Sequence, residues 1–213
     1  MENNIKEIIN ILKSTYPDAK CSLNFSTPFE LVVAVCLSAQ CTDERVNKVT
    51  PTLFSRCKTI KDFATIDINE LEKLIHSCGF YKNKAKNIKL CANQILTNFN
   101  GEVPKTMEEL LTLAGVGRKS ANVILLEAFG IANGVAVDTH AKRISNLIGL
   151  SSNTDPHKIE KDLLKIIPHE YLKDINHLFM WHGRNICIAR NPKCSTCPIN
   201  KYCKHYTNNE YFC

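Results

Sequence analysis

Apolar residues recur along this chain at helical spacing. Ile5, Ile8, Ile9 and Leu12 follow the i, i+3, i+4, i+7 rhythm that puts them on one face of a helix. Ala85, Ile88, Ala92, Ile95 and Phe99 make a longer stripe of the same kind. Ile159, Leu163 and Ile166 make a third, behind Asp155-Pro156, where a cap residue is followed by Pro at the first helical position. Thr27-Pro28-Phe29-Glu30 reads as a capping box opening the apolar run Leu31–Leu37. Asp67 with Glu70 repeats the box ahead of Leu71, Leu74 and Ile75, and Thr106 with Glu109 repeats it ahead of Leu110 and Leu113. Gly79 is expected to close the helix that Asp67 opens, and Pro51 to kink or restart the helix after Thr42. Strand-type alternation is nearly absent, and there is no internal repeat. The pattern predicts an all-α fold of about ten short helices with short connections.

The most informative local stretch is Leu110-Leu-Thr-Leu-Ala-Gly-Val-Gly-Arg-Lys-Ser-Ala-Asn-Val-Ile-Leu. A short helix is expected to end near Leu113, Gly115-Val116-Gly117 to make a tight hairpin, and a second helix to start at about Arg118. The two Gly allow positive φ and close backbone approach to a partner. The N–H groups at the start of the second helix suit a phosphate. A bare GxG between helices would be an ordinary corner. The apolar spacing and Arg118-Lys119 make it resemble the helix-hairpin-helix motif, which grips the sugar–phosphate backbone without reading sequence.

Lys119 is singled out by position, since most lysines are simply solvated. At a helix N-terminus the positive dipole end disfavours an ammonium, and burial under a substrate would act the same way. A neutral amine is a nucleophile that forms a Schiff base with a carbonyl carbon. Asp138, in Ala-Val-Asp-Thr-His, stands before a helix expected over Ala141–Ile148 and makes a good N-cap. A cap and a catalytic carboxylate are compatible roles. A helix over 118–130 would be about 18–20 Å long. The residues 131–137, if extended, span roughly 23 Å. The chain can therefore return Asp138 to Lys119.

Composition changes the picture in two places. The 213 residues suit one compact domain or two small ones, and 44% apolar with 23% charged residues excludes disorder and collagen-like repeats. Of the +6 net charge, five units (Arg184, Arg190, Lys193, Lys201 and Lys204) lie in an acid-free stretch near the C-terminus. Lys82–Lys89 holds four more lysines, and such runs are either polyanion contacts or a solvated face. The eleven cysteines are an odd count and cannot all pair within one chain. Met1-Glu-Asn-Asn-Ile-Lys offers no apolar signal segment, and the run Leu31–Leu37 is too short to span a membrane. A reducing, cytoplasmic setting is expected, in which clustered Cys bind metal more often than they pair. Cys187, Cys194, Cys197 and Cys203 give C-x6-C-x2-C-x5-C. The segment is too short and polar to fold on its own core, so a metal staple is expected. Spacing alone leaves zinc and a 4Fe-4S cluster level. The remaining cysteines (21, 36, 41, 57, 78, 91, 213) are scattered. Those in apolar helices read as small core residues, and Cys213 as a less favoured spare ligand.

Leu37-Ser-Ala-Gln-Cys-Thr-Asp43, Gly115-Val-Gly-Arg-Lys119, Val137-Asp-Thr-His140, His182-Gly-Arg184 and the four-Cys tail together resemble the endonuclease III family, in order over nearly the whole chain. These are bifunctional DNA glycosylases and AP lyases of the helix-hairpin-helix superfamily. The resemblance implies a 4Fe-4S cluster on Cys187, Cys194, Cys197 and Cys203. It implies two helical lobes, a barrel over 20–133 and a second lobe of 1–19 plus 134–213, with DNA across the cleft. It makes Lys119 the nucleophile, Asp138 the catalytic carboxylate and Gln40 the wedge that fills the gap left by a flipped base. Gly115, Val116, Gly117, Arg118 and His140 would face DNA, and Arg190 and Lys193 would touch phosphates. Ala114 stands where the family usually has Pro, and Ser120 where Thr is common. Oxidised pyrimidines are the implied lesions, removed by base excision with β-elimination. Duplex DNA with a damaged base or abasic site is the implied partner, bound with strong salt dependence. A monomer without a membrane is expected, nucleoid-associated if bacterial. A mismatch adenine glycosylase shares the hairpin and cluster but generally lacks the nucleophilic Lys and carries a further domain. A non-catalytic helix-hairpin-helix protein would not need Lys119 with Asp138.

Overall fold

The computed structural model describes residues 2–208, and among them every regular element is helical. Cys213 lies outside the described residues. The chain runs α1 (Glu2–Thr15), α2 (Pro28–Ser38), α3 (Asp43–Arg56), α4 (Ile60–Thr65), α5 (Ile68–Ile75), α6 (Tyr81–Asn98), α7 (Met107–Leu110), α8 (Arg118–Phe129), α9 (Thr139–Ile148), α10 (Pro156–Ile166), α11 (Leu172–Asn185) and α12 (Lys204–Asn208). Three short 3-10 turns, at His76–Cys78, His169–Tyr171 and Asn200–Tyr202, link them. The chain divides into two compact units, Ser22–Ile131 and Met1–Cys21 with Ala132–Cys213.

Local signals set most helix starts. Thr27 accepts from the Glu30 N–H, Thr106 from the Glu109 N–H, Asp155 from the Lys158 N–H, and Asp67 from the Asn69 and Glu70 N–H groups. The reciprocal arm of the expected boxes is missing. Glu30 instead accepts from the Ser26 N–H, and Glu109 from the Thr106 hydroxyl. The two-armed capping box is at Thr59 and Asp62. Gly79, at φ +64°, follows the 3-10 turn that extends α5. Pro51 neither ends nor restarts α3, which continues from Asp43 to Arg56. Pro51 is exposed and removes one backbone bond, while buried Val46, Val49, Thr50 and Leu53 hold both halves against the core.

In the Ser22–Ile131 unit, α2 packs on α8, and α6 gathers α2, α4 and α5. Leu31, Leu37, Leu53, Phe63, Leu71, Ile75, Ile88 and Ile95 are fully buried there. In the other unit, α1 packs on α11, and α9 on α10, α11 and α12. Ile5, Ile8, Ile9 and Leu12 of α1 share one core with Ile144, Ile159, Leu163, Ile175, Leu178 and Phe179. A fourteen-residue helix is marginal alone. Burying four large apolar side chains contributes roughly 6–12 kcal/mol as an upper bound, which ties the N-terminal helix to the C-terminal half of the chain. On α10 the inward face is Ile159 and Leu163, with Ile167 just beyond the helix; Ile166 is only half-buried.

Candidate active site and cysteine loop

The hairpin is built on α6. Gly115 has φ +79°, which favours glycine, and a Cβ there would crowd Asn87 Cβ at 3.0 Å. Gln94, also on α6, accepts from the Ala114 N–H at 2.8 Å and donates to the Thr112 carbonyl at 3.1 Å. This amide clamp fixes the turn where Ala114 stands. Val116 is buried and its N–H bonds the Leu113 carbonyl at 3.1 Å, while Gly115 and Gly117 are exposed. The first helix of the motif is short, Met107–Leu110, ending three residues before Leu113. α8 then begins at Arg118 with Gly117 as N-cap and no side chain capping it. Lys119 is the second residue of α8 and is exposed.

Gln40 belongs to the same unit, is exposed, and sits at φ +52° in the turn after α2. That turn is braced by a residue the sequence reading counted only as part of a basic run. Lys84 is 5% exposed, and its ammonium donates to the Leu37 carbonyl at 2.8 Å and the Cys78 carbonyl at 2.7 Å. Lys89 donates to the Ile66 carbonyl. The 82–89 run is therefore not one solvated face. Cys36, Cys57, Cys78 and Cys91 are buried, as small core residues.

Asp138 belongs to the other unit. It caps α9, with Oδ1 accepting from the Ala141 N–H at 2.7 Å, and is half-buried. The helix starts at Thr139, two residues earlier than the sequence indicates, because Asp138 is itself the cap. His140 and Arg143 follow on α9. The guanidinium of Arg143 donates to His140 Nδ1 at 3.1 Å, the Gly183 carbonyl at 3.0 Å and the Cys187 carbonyl at 2.6 Å. Arg cannot accept, so within that pair Nδ1 of His140 is the acceptor. Burial pushes His140 down against the opposing pull of Asp138. Gly183 lets α11 approach: a Cβ there would lie 2.5 Å from His140 Nδ1. Arg143 had no motif to mark it; its only signal was a basic residue three positions after His140 on one helical face.

Cys187, Cys194, Cys197 and Cys203 line one cavity together with Ile144, Leu147, Ile148, Ile186 and Ile199. Four thiols around a shared apolar volume is the arrangement a multi-iron cluster requires. Burial pushes Cys197 up to about 11 and raises Cys187 as well, Arg143 partly opposing the latter. Thiolates there need a compensating cation, which cluster iron supplies. Arg190 and Lys193 are exposed on the loop between the first two cysteines. His182 is 1% exposed, and burial, with Arg143 adding to it, pushes its imidazole down to about 4. Tyr16 is pushed up to about 12 by burial and by Cys197 and Cys187.

Residues 33–169 match the profile of the HhH-GPD superfamily of base excision DNA repair proteins, and 187–203 match the iron-sulfur binding domain of endonuclease III. These matches define a base excision repair protein with an iron–sulfur domain. The chain is 54% identical to endonuclease III of Synechocystis, over 92% of this chain and 90% of that one. It is 42% identical to that of Bacillus subtilis, over 94% and 93%. A solved trapped endonuclease III–DNA covalent intermediate superposes with a TM-score of 0.92 at 40% identity, covering 99% of both chains. The chain belongs to the endonuclease III family and carries its 4Fe-4S cluster. No described helix is long and apolar enough to cross a membrane.

Proposed function

We infer that this chain excises oxidised pyrimidines from duplex DNA and then cleaves the strand, with Lys119 as nucleophile. The observation that carries the reading is the hairpin: a glycine turn clamped to α6 presents Lys119, exposed, at the start of an uncapped helix. Gly115, Val116, Gly117 and Arg118 would set a phosphate at that helix end. Flipping the damaged base costs about a few kcal/mol, which damage reduces, and Gln40 would fill the space left. The Lys119 amine attacks C1′, the glycosidic C–N bond breaks, and the base leaves with its electron pair and takes up a proton. Loss of a proton from nitrogen and opening of the sugar ring give an imine. The imine acidifies the C2′ proton; its removal expels the 3′ phosphate by β-elimination.

Asp138 keeps one oxygen on the α9 cap, and its other oxygen would take the Lys119 proton or stabilise cationic character on the sugar. His140, next to Arg143 on α9, would face DNA beside Asp138. Cys187, Cys194, Cys197 and Cys203 would hold the cluster, whose iron, when bound, cross-links the thiolates and orders the loop. Arg190 and Lys193 on that loop would contact phosphates. The same reading sets the enzyme in a reducing cytoplasm, nucleoid-associated in a bacterium, a setting that ten described cysteines outside any disulfide fit. The test is reductive trapping: borohydride with abasic-site DNA should yield a covalent adduct with the wild type and none with Lys119→Gln. An adduct of equal yield from the variant refutes Lys119 as the nucleophile.

A further inference from the structure

The mechanism leaves one buried polar chain unused. It runs from α1 through α11 to the cysteine loop, inside one compact unit. The Tyr16 hydroxyl lies 3.1 Å from His182 Nδ1, and His182 Nε2 lies 3.5 Å from the Cys197 sulfur. Tyr16 is 9% exposed and His182 1%, so bulk water does not compete for these bonds. The Tyr16 and His182 rings meet edge to face with centroids 6.0 Å apart, and Trp181 packs tilted against Tyr16 at 6.3 Å.

We propose that His182 is a side-chain hydrogen-bond donor to the Cys197 thiolate in the loaded protein, and that Tyr16 fixes the imidazole tautomer that makes it a donor. The argument is one of hydrogen-bond polarity. A cysteine that ligates iron is a thiolate, which accepts and cannot donate. Nε2 must then carry the proton. A neutral imidazole with its proton on Nε2 has a bare Nδ1, and the group facing that nitrogen must donate. The Tyr16 hydroxyl does so. With the imidazole neutral, the three groups thus have one consistent arrangement once Cys197 is a ligand: Tyr16 O–H to Nδ1, Nε2–H to sulfur. With Cys197 as a thiol the chain can also run in reverse, S–H to Nε2 and Nδ1–H to the Tyr16 oxygen. Loading therefore sets the direction of the chain.

An N–H aimed at a ligand sulfur stabilises the more negative, reduced charge state over the oxidised one, and so raises the reduction potential. His182 and Tyr16 are positioning residues for the ligand set. The proposal rests on the four-cysteine assignment.

The experiment uses the full-length protein purified without oxygen. Iron content, visible absorbance and the cluster's midpoint potential are measured for the wild type, Tyr16→Phe, His182→Gln and His182→Leu. His182→Leu should shift the potential negative at unchanged iron content. His182→Gln, which keeps an N–H donor, should hold it near the wild type. Tyr16→Phe, which leaves the ring but frees the tautomer, should shift it negative by less than His182→Leu. If His182→Leu does not fold or load, the Tyr16→Phe shift against an unmoved His182→Gln decides. Potentials equal to wild type in fully loaded Tyr16→Phe and His182→Leu overturn the proposal. A wild type without iron or visible absorbance overturns the four-cysteine assignment instead.

Discussion

Replacing Gly183 by Ala sets two effects of opposite sign against each other. Gly183 lies within α11, where Ala is favoured over Gly by about 1 kcal/mol on helix propensity alone. Yet a Cβ at this position would stand 2.5 Å from His140 Nδ1 and 2.9 Å from His140 Cβ and Cγ, well inside ordinary contact at about 3.5–4.0 Å. The ring could turn away, but His140 Cβ moves only with the α9 backbone, and the ring is held by Arg143. Overpacking of this kind costs about 1–3 kcal/mol, and the contact with His140 Cβ, which no rotation of the ring relieves, puts this site in the upper part of that range. The net expectation is a loss of about 1–2 kcal/mol. At about 2–4 °C per kcal/mol for a chain of this size, the Tm should fall by about 2–8 °C. Gly117→Ala is the control. It has no atom within 4 Å of its would-be Cβ and no positive φ, and the chain-entropy gain of Ala is set against Gly's advantage at the N-cap, so its Tm should change little while DNA affinity falls. Thermal unfolding followed by far-UV circular dichroism, at matched iron content, reads both. A Tm for Gly183→Ala at or above wild type would refute the close-approach argument.

Three further outcomes follow from the same geometry. Lys84→Met leaves the Leu37 and Cys78 carbonyls without their buried ammonium; the loss, partly offset by the desolvation avoided, should be about 2–4 kcal/mol in denaturant unfolding, and an unchanged midpoint would refute the brace. Asp138→Asn should keep the α9 cap and near-native stability, Asp138→Ala should lose about 1 kcal/mol, and both should lose lyase rate by about 100-fold or more; full activity in Asp138→Asn would exclude the carboxylate. The Thr59 backbone N–H, then its hydroxyl, hold the Asp62 carboxyl below its ordinary 3.8, so its contribution is complete above that value and lost as pH falls through the lower folded one. Asp62→Asn should therefore flatten the acid limb of the stability–pH curve, and an unaltered limb would count against the capping box.

The sequence by itself determined whatever depends on neighbours along the chain. Helical periodicity exposed the inner faces of α1 and α6 because burial on one side imprints a 3.6-residue rhythm. Thr27, Asp67, Thr106 and Asp155 marked helix starts because a cap bonds an N–H only two or three residues away. Gly115 and the four-cysteine tail were legible because a positive φ and a ligand set each demand particular residue types at fixed spacing. What only the tertiary structure decided are the bonds between residues far apart in sequence. Lys84 looked like one of four surface lysines until its ammonium was found on Leu37 and Cys78. Arg143 carried no motif, because its partners include the carbonyls of Gly183 and Cys187, in α11 and just beyond it, and a backbone carbonyl leaves no trace in residue type. Pro51 signals a kink or restart because its missing N–H is a local fact, while the core contacts that keep α3 continuous through it are not local. Tyr16 and Cys197 stand 181 positions apart. No window along the chain contains both, and only the packing of α1 on α11 sets His182 between them.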